Sequence, residues 1–252
     1  MKAMILAAGL GTRLRPLTDD RPKALVTVAG RTLLEITLSR LRFFGVREVI
    51  VNAHHHAQMI VNYLKAHDNF GMRIEVSREE ELLDTGGGLK KAAYFFGESR
   101  GEPFILHNVD VLSTIDLGRM VRFHTEQNAL ATLAVQERET SRYLLFDEQS
   151  QLCGRRIVRA AKAESPGIEW ARPGLGMRAL AFAGIHVLSP DIFEKMKGQG
   201  AFSIIDAYLH LAAQGEKIVA FRANGYYWRD LGRPENLLEA AQDMVNKKYS
   251  IT

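Results

Sequence analysis

The feature that most constrains this chain of 252 residues is a short apolar run near its start, followed by small residues and then by cations. Residues 3–8 are apolar, which is typical of a strand buried on both faces of a sheet. Gly9 and Gly11 follow this strand, and their lack of a side chain lets a ligand approach the backbone closely. Arg13 and Lys23 then supply positive charge. A bare loop with cations at the end of a buried strand is suited to binding a polyanion.

Two common nucleotide-binding motifs do not match this stretch. The Walker sequence needs Gly-Lys-Ser/Thr after four intervening residues, and that sequence is absent. A dinucleotide fingerprint needs a third small residue at position 14, where this chain has Leu14. Pro16 and Pro22 would also interrupt a helix that began there. The sequence therefore disfavours both a P-loop and a nicotinamide-binding site.

Apolar strands alternate with amphipathic helices through the first part of the chain. The pattern predicts strands at 48–53, 72–77, 103–109 and 129–135, and helices at 32–45, 56–67, 89–96 and 116–127. This β–α–β order predicts an α/β, Rossmann-like fold, with a mostly parallel sheet flanked by helices. Ligands of such sheets bind beyond the carboxyl ends of the strands, where Asn52, Asn108 and Asp110 fall.

The order of elements changes from residue 143 onwards. The sequence predicts a hairpin over 143–158, a loop over 164–177, strands at 179–188 and 217–222, and helices at 203–214 and 234–247. This part is expected to be a small, mixed β region. Because no linker or repeat divides the chain, we expect one domain over 1–252 with two halves, 1–137 and 138–252.

Composition limits the class of protein and its partners. A hydrophobic fraction of 46% and a charged fraction of 25% are those of an ordinary globular chain. The single Cys153 excludes an internal disulfide and is consistent with a cytoplasmic location. No apolar run reaches the length of a membrane span, and the start lacks a signal peptide. The net charge of +4 comes without a dense basic run, so we expect neither nucleic acid nor membrane as a partner.

The signature stretch resembles that of the sugar-1-phosphate nucleotidyltransferases, and similar landmarks extend over nearly the whole chain. The matching residues are Leu6-Ala7-Ala8-Gly9-x-Gly11-Thr12-Arg13 and Arg21-Pro22-Lys23. The resemblance implies an enzyme that transfers a nucleoside monophosphate from a nucleoside triphosphate to a sugar 1-phosphate and releases pyrophosphate. The chain is most similar to uridylyltransferases of N-acetylmuramate 1-phosphate, which act in cell-wall recycling, so UTP is the expected donor. Mannose- or heptose-1-phosphate guanylyltransferases are the close alternative.

The resemblance also implies roles for individual residues. Arg13 and Lys23 correspond to the family's catalytic cations, and Asp110 and Asp230 to its catalytic aspartates that bind Mg²⁺, with Mn²⁺ as a possible substitute. The implied nucleotide-binding residues are Ala7, Ala8, Gly9, Gly11, Thr12, Arg13, Lys23, Gly87 and Asn108. Asn108 and Gly184 are implied to bind the sugar in the half 138–252, while the half 1–137 binds the nucleotide. Gly87 belongs to an expected open, glycine-rich turn at 86–88 that precedes the helix at 89–96.

Because the chain departs from the family pattern at three places, the resemblance does not identify the sugar of the substrate. Leu144 stands where some relatives place a glycine against the sugar. Val109 precedes Asp110 where the family usually has glycine. The Glu-Lys-Pro segment that holds the sugar phosphate in several relatives is not evident here, and residues 164–166 resemble it only weakly.

Other functions remain in consideration. The run His54-His55-His56 suggests zinc, but consecutive side chains cannot all point at one ion in a regular element, so a polar rim near the nucleotide is the preferred interpretation. A regulatory protein that binds nucleotide without turnover is the rival of another class, and it would be favoured by loss of either aspartate. Both aspartates are present. We expect a monomer or a small homo-oligomer.

Overall fold

The computed structural model describes residues 1–97, 101–158, 167–246 and 248–249. Its strands are β1 (Lys2–Leu6), β2 (Thr27–Val28), β3 (Arg31–Thr32), β4 (Glu48–Ala53), β5 (Arg73–Arg78), β6 (Phe104–Asn108), β7 (Val111–Ser113), β8 (Ala131–Gln136), β9 (Arg142–Phe146), β10 (Leu152–Ile157), β11 (Gly167–Trp170), β12 (Arg178–Leu188), β13 (Ile218–Arg222) and β14 (Trp228–Asp230). Its α-helices are α1 (Leu33–Phe43), α2 (Ala57–Ala66), α3 (Asp84–Lys91), α4 (Leu117–Glu126), α5 (Ile192–Lys195), α6 (Ile204–Ala213) and α7 (Pro234–Val245).

Within these described residues, ten strands form one continuous sheet. Eight of them lie in the order β11-β10-β9-β12-β6-β1-β4-β5, and β8 pairs with both β12 and β13. Strands β6, β1, β4 and β5 run parallel, as do β8 and β13. The strands around β9, β10, β11 and β12 are antiparallel. The predicted fold class is confirmed, with a parallel part in the first half and a mixed part in the second.

Helices cover both faces of this sheet, and each face has its own apolar core. One core packs α1 and α7 against the sheet, and the other packs α3 and α6 against it. Antiparallel pairing of β12 with β6 joins the two halves, since β12 belongs to the second half of the chain and β6 to the first. No described helix has the length and apolarity that crossing a bilayer requires.

Two of the predicted segments differ from the structure. The predicted helix at 89–96 begins earlier, so that α3 includes the glycines and ends at Lys91, with a 3₁₀ turn at Ala93–Phe96. The predicted loop over 164–177 contains β11, an edge strand that pairs with β10. Residues 164–166 of that loop, and residue 247 of the predicted last helix, lie outside the described residues.

Tertiary contact explains why α3 forms despite three glycines. The amides of Gly86 and Gly87 both donate to the carbonyl of Phe202, at 2.9 and 3.3 Å. The hydroxyl of Thr85 accepts from the amide of Ile204 at 2.9 Å, at the start of α6. A Cβ at Gly87 would stand 2.2 Å from the carbonyl oxygen of Gly200. Glycine is therefore required here for close packing, and this contact overrides its low helix propensity.

We predict that Gly87→Ala destabilises the fold even though alanine favours a helix. The new methyl group must displace the backbone at Gly200, and such overpacking costs about 1–3 kcal/mol. Urea unfolding followed by circular dichroism measures the change in the free energy of unfolding. Gly225→Ala is the matched control, because a Cβ there meets no atom within 4 Å. Equal stability of Gly87→Ala and the wild type would contradict this account of α3.

Candidate active site

A cavity of about 230 Å³ opens at the carboxyl ends of β1, β4 and β6, where the sequence predicted a ligand. Its lining includes most of the predicted nucleotide-binding residues and one predicted metal ligand. The lining residues are Leu6, Ala7, Ala8, Gly9, Lys23, Asn52, Leu82, Asp84, Thr85, Asn108, Val109 and Asp110. Three parallel strands thus bring together residues that are up to about a hundred positions apart in the sequence.

The signature loop follows β1 directly and presents backbone to this cavity. A Cβ at Gly9 would meet no atom within 4 Å, so the backbone at Gly9 is open to a ligand. Gly11 has a φ of +65° and packs against Thr18 and the Cβ of Lys23. The Thr18 hydroxyl donates to the Gly11 carbonyl at 2.9 Å. Gly11 therefore shapes the turn that returns the chain toward Lys23, whereas Gly9 leaves room for the ligand.

A buried polar network fixes the position of this loop. Asn52, at the end of β4, accepts from the amide of Ala7 at 2.7 Å and donates to Glu79 at 2.7 Å. The other oxygen of Glu79 accepts from the amide of Leu83, just before α3, at 3.1 Å. Asn52 and Glu79 are 2% and 4% exposed, so these bonds are shielded from water. The network ties the signature loop to the start of α3 across the cavity.

Lys23 and Asp110 form an ion pair inside the cavity. The Lys23 Nζ donates to Asp110 Oδ2, and both side chains are largely buried. Burial weakens screening by solvent, so the Coulomb attraction within this pair exceeds that of a surface pair, while the desolvation of both charges opposes it. Lys23 approaches from a 3₁₀ turn at Lys23–Leu25, and Asp110 lies between β6 and β7.

Asp230 and Arg13 lie beside this pair rather than in the cavity wall. Strand β14 pairs with β7 so that Asp230 faces Val111, and the Leu231 amide donates to the Asp110 carbonyl at 2.7 Å. A Cβ on Gly232 would stand 2.6 Å from the Arg13 guanidinium and 2.7 Å from a carboxylate oxygen of Asp230. Arg13 is exposed to solvent. The structure thus gathers all four predicted catalytic residues at one edge of the sheet.

The donor set fits a magnesium ion. Magnesium in proteins is usually held by one or two carboxylates, with substrate phosphates and water completing its shell. Asp110, which lies just before β7, and Asp230, on the paired strand β14, supply such a pair of carboxylates. The described residues contain no group of three or more His, Cys, Asp or Glu side chains placed to hold a metal alone. An ion here would therefore need oxygens from the substrates.

A second, larger cavity of about 590 Å³ adjoins the first and shares Asp84, Thr85 and Asn108 with it. It lies between β9, β10, β12 and the start of α6. Its other lining residues are Thr140, Arg142, Tyr143, Leu144, Arg155, Arg156, Ile157, Phe182, His186, Ser203, Ile204, Ile205 and Asp206. Leu144 is a buried part of this wall.

Gly184 and Asn108 meet near the junction of the two cavities. Gly184 has a φ of +74°, and a Cβ there would stand 2.9 Å from the Asn108 side-chain amide. Neighbouring His107 is fully buried, and burial lowers its pKa to about 4, so its ring is neutral near neutral pH. Gly184 therefore keeps space for Asn108, whose side chain is close to both cavities.

The structure places the remaining predicted residues outside the cavity lining. Thr12 is exposed at the start of a 3₁₀ turn. Gly87 lies within α3 and packs against Gly200, so the expected open turn at 86–88 is wrong. Asp84 and Thr85, which the sequence did not single out, line both cavities.

Several cations near the site were missed by the sequence analysis. Arg138 stacks on the ring of Trp228 at 3.7 Å and donates to the carbonyl of Phe182 at 2.8 Å. Burial lowers the pKa of Arg138, and the nearby charge of Asp230 opposes that shift. Arg155, in the second cavity, forms ion pairs with Glu169 and Asp206. These residues belong to no short motif, so no signal in the sequence singled them out.

Comparison with known proteins places this chain in a family. A family model described as nucleotidyl transferase matches residues 2–247. The N-acetylmuramate alpha-1-phosphate uridylyltransferase of Caulobacter vibrioides is 33% identical over 241 residues, covering 94% of each chain. A probable mannose-1-phosphate guanylyltransferase of Oryza sativa is 29% identical, and the match covers 94% of this chain and 63% of that relative.

Solved structures agree at the level of the fold. The crystal structure of HddC from Yersinia pseudotuberculosis complexed with GMP-PN matches with a TM-score of 0.75 at 23% identity, covering 96% of this chain and 99% of that one. A putative glucose-1-phosphate thymidylyltransferase from Bacillus anthracis matches with a TM-score of 0.77 at 18% identity, covering 96% of this chain and 94% of that one. The chain therefore belongs to the nucleotidyl transferase family, together with sugar-1-phosphate uridylyl- and guanylyltransferases, and is an enzyme.

Proposed function

We propose that this enzyme transfers a uridylyl group from UTP to N-acetylmuramate 1-phosphate, giving the UDP-sugar and pyrophosphate. The observation that carries this proposal is the pair of adjoining cavities, of which the first holds Lys23 and Asp110. The second cavity meets the first at Asn108, so a sugar phosphate there would face a nucleotide bound on the signature loop. We propose a cytoplasmic enzyme of cell-wall recycling that works as a monomer or small homo-oligomer.

The reaction needs neutralisation of charge and alignment more than proton transfer. A phosphate monoester has a second pKa of about 6, so the sugar phosphate is already mostly a dianion near neutral pH. Its oxygen attacks the α-phosphorus, and pyrophosphate leaves from the opposite side. The protein's task is to hold two anions close together in line, which requires positive charge at the junction of the cavities.

Lys23 and Arg13 would supply different parts of that charge. Lys23 lines the first cavity and carries a compact charge on a flexible stem, which suits the α-phosphate and the incoming oxygen. Arg13 lies beside Asp230 at the exposed edge, and its forked guanidinium suits the β- and γ-phosphates. Asp110 and Asp230 would hold Mg²⁺, or Mn²⁺, which when bound adds charge compensation for the phosphates. Asp110 pairs with Lys23 here, so binding of the cation and triphosphate would redistribute this contact.

Two observations bear on the choice of base and sugar. The Caulobacter vibrioides uridylyltransferase matches this chain over 94% of both lengths, whereas the rice guanylyltransferase extends well beyond the match. Guanylyltransferases remain the second candidate function, since several relatives at 28–30% identity carry that name. Gly87, which the resemblance implied as a nucleotide-binding residue, is not available to a base, because the amides of Gly86 and Gly87 donate to the carbonyl of Phe202. We propose instead that the base lies near Leu82, an exposed apolar side chain in the cavity wall.

The substrate proposal is tested with a matrix of nucleoside triphosphates against sugar 1-phosphates, read by pyrophosphate release. We expect UTP with N-acetylmuramate 1-phosphate to give the highest kcat/KM, because this pair matches the relative of equal length. GTP with mannose 1-phosphate or a heptose 1-phosphate as the best pair would replace the proposal by the guanylyltransferase alternative. A folded protein that binds a triphosphate but releases no pyrophosphate with any sugar would favour the regulatory role.

We predict that Asp110→Asn and Asp230→Asn each lower kcat by at least about a hundredfold. A neutral amide is a poor ligand for magnesium, and the loss corresponds to roughly 3 kcal/mol in the activation barrier. Steady-state rates at saturating magnesium and substrates measure the effect. Asp191→Asn is the control, since Asp191 is exposed and its side chain caps no helix. Near-normal turnover of either site variant would remove that aspartate from the proposed metal site.

Arg13→Ala and Lys23→Ala are expected to affect different steps. Arg13→Ala should mainly raise the KM for the triphosphate, and Lys23→Ala should mainly slow the chemical step. Single-turnover rates at saturating triphosphate separate the two, and the rate should fall further for Lys23→Ala. Arg15→Ala is the control because Arg15 is exposed and pairs with Asp19. The opposite order of rates would show that the two roles are exchanged.

A further inference from the structure

A bulge in β12 directs two rings into the second cavity. In the pairing of β12 with β8, Phe182 lies opposite Val135 and His186 lies opposite Leu133. Strand β12 therefore contains two more residues than β8 over this interval. Gly184, with its positive φ, lies inside the bulge. The rings of Phe182 and His186 contact each other edge to face, with centroids 4.7 Å apart, and both residues line the cavity.

Tyr208 on α6 determines which nitrogen of His186 carries the proton. The Tyr208 hydroxyl lies 2.8 Å from His186 Nδ1 and forms no other hydrogen bond with a described residue. Tyr208 is completely buried, so a hydroxyl that failed to donate would leave a buried donor unsatisfied. The hydroxyl therefore donates, Nδ1 accepts, and the proton of the neutral ring is on Nε2.

Both members of this pair stay uncharged near neutral pH. Burial, with a smaller contribution from His107, lowers the pKa of His186 to about 3, and burial raises the pKa of Tyr208 well above its ordinary value. His186 thus presents a fixed, neutral N–H donor. Nε2 forms no hydrogen bond within the described part of the chain, although His186 is only 1% exposed. His186 lines the second cavity, so a ligand bound there can supply the acceptor for this N–H.

We infer that His186 selects sugar 1-phosphates with a 2-acetamido group, by donating its Nε2–H to the carbonyl of that group. The inference rests on the proposed function, since it concerns the sugar that the second cavity binds. An acetamido carbonyl oxygen is an acceptor, so it can pair with the Nε2–H of His186. The apolar side chains of Phe182 and Leu144 in the same wall suit the acetamido methyl group. Tyr208 is then a positioning residue that acts through the ring of His186.

The test compares N-acetylglucosamine 1-phosphate with glucose 1-phosphate, which differ only at this group. The measured quantity is the ratio of their kcat/KM values, at saturating concentration of the triphosphate that the substrate matrix selects. The wild type should prefer the acetamido sugar, and His186→Leu should reduce this preference about tenfold through the KM for the sugar phosphate. The KM for the triphosphate should not change. Because both substrates are measured on one preparation, loss of folded protein cancels in the ratio.

Further variants separate recognition from a structural effect. His186→Gln keeps an amide N–H donor and should retain more of the preference than His186→Leu. Tyr208→Phe frees the proton to occupy either nitrogen and should reduce the preference two- to threefold. His124→Leu is the matched control, since His124 is also buried and bonded to hydroxyls, of Thr132 and Ser189, but lies outside both cavities. It should lower stability and leave the ratio unchanged.

An unchanged ratio in His186→Leu would overturn the inference, and so would a wild type that prefers glucose 1-phosphate. These outcomes are separate from failure of the proposed function. If the matrix selects GTP in place of UTP, the nucleotide assignment fails, while the ratio test is still made with GTP. If the matrix finds no turnover, the proposed function fails, and the same ratio is taken from the dissociation constants of the two sugar phosphates by calorimetry.

Discussion

The candidate site depends on one buried side chain, Asn52, which holds together two segments that line the first cavity. Its amide bonds the start of the signature loop at Ala7 and the carboxylate of Glu79, which in turn bonds the amide of Leu83 before α3. A Cβ on Gly88 would stand 2.7 Å from both Asn52 and Glu79, so α3 must carry glycine where it crosses this network. The glycines of α3 thus serve the packing of the cavity wall, and the residues just before them serve the cavity itself.

Charge at the site is balanced before any substrate arrives. Lys23 neutralises Asp110, and Arg13 lies beside Asp230. A triphosphate bound with its cation would bring both negative and positive charge. The basic residues could then pair with the phosphates and the aspartates with the cation, so that no buried charge would be left unpaired. The second cavity differs in character, because its wall combines apolar side chains with a neutral histidine and the arginine–carboxylate pairs of Arg155. The two cavities therefore suit a highly charged nucleotide and a partly apolar sugar.

Particular elements show how far sequence reasoning reaches. The parallel strands were predictable because a short, continuous apolar run between amphipathic helices is typical of a strand buried in a parallel sheet. The carboxyl ends of such strands lie at the same edge of the sheet. The start of α3 was not predictable, since glycine disfavours a helix and the compensating contacts come from residues 200–204. Strand β11 was missed for a related reason, because an edge strand with exposed side chains has no hydrophobic alternation to reveal it.

Resemblance to a family suggested the acids and cations of the proposed site, whereas the sequence by itself determined the fold class and predicted the loop that follows β1. It did so because buried strands and glycine turns are encoded by residues close together in the chain. Only the tertiary structure decided that Gly87 packs against Gly200, and that Asp84 and Thr85 border both cavities. Only the tertiary structure shows which ring nitrogen of His186 carries the proton, because that depends on Tyr208, which lies on α6. Such roles depend on contacts between distant segments, which no local pattern records.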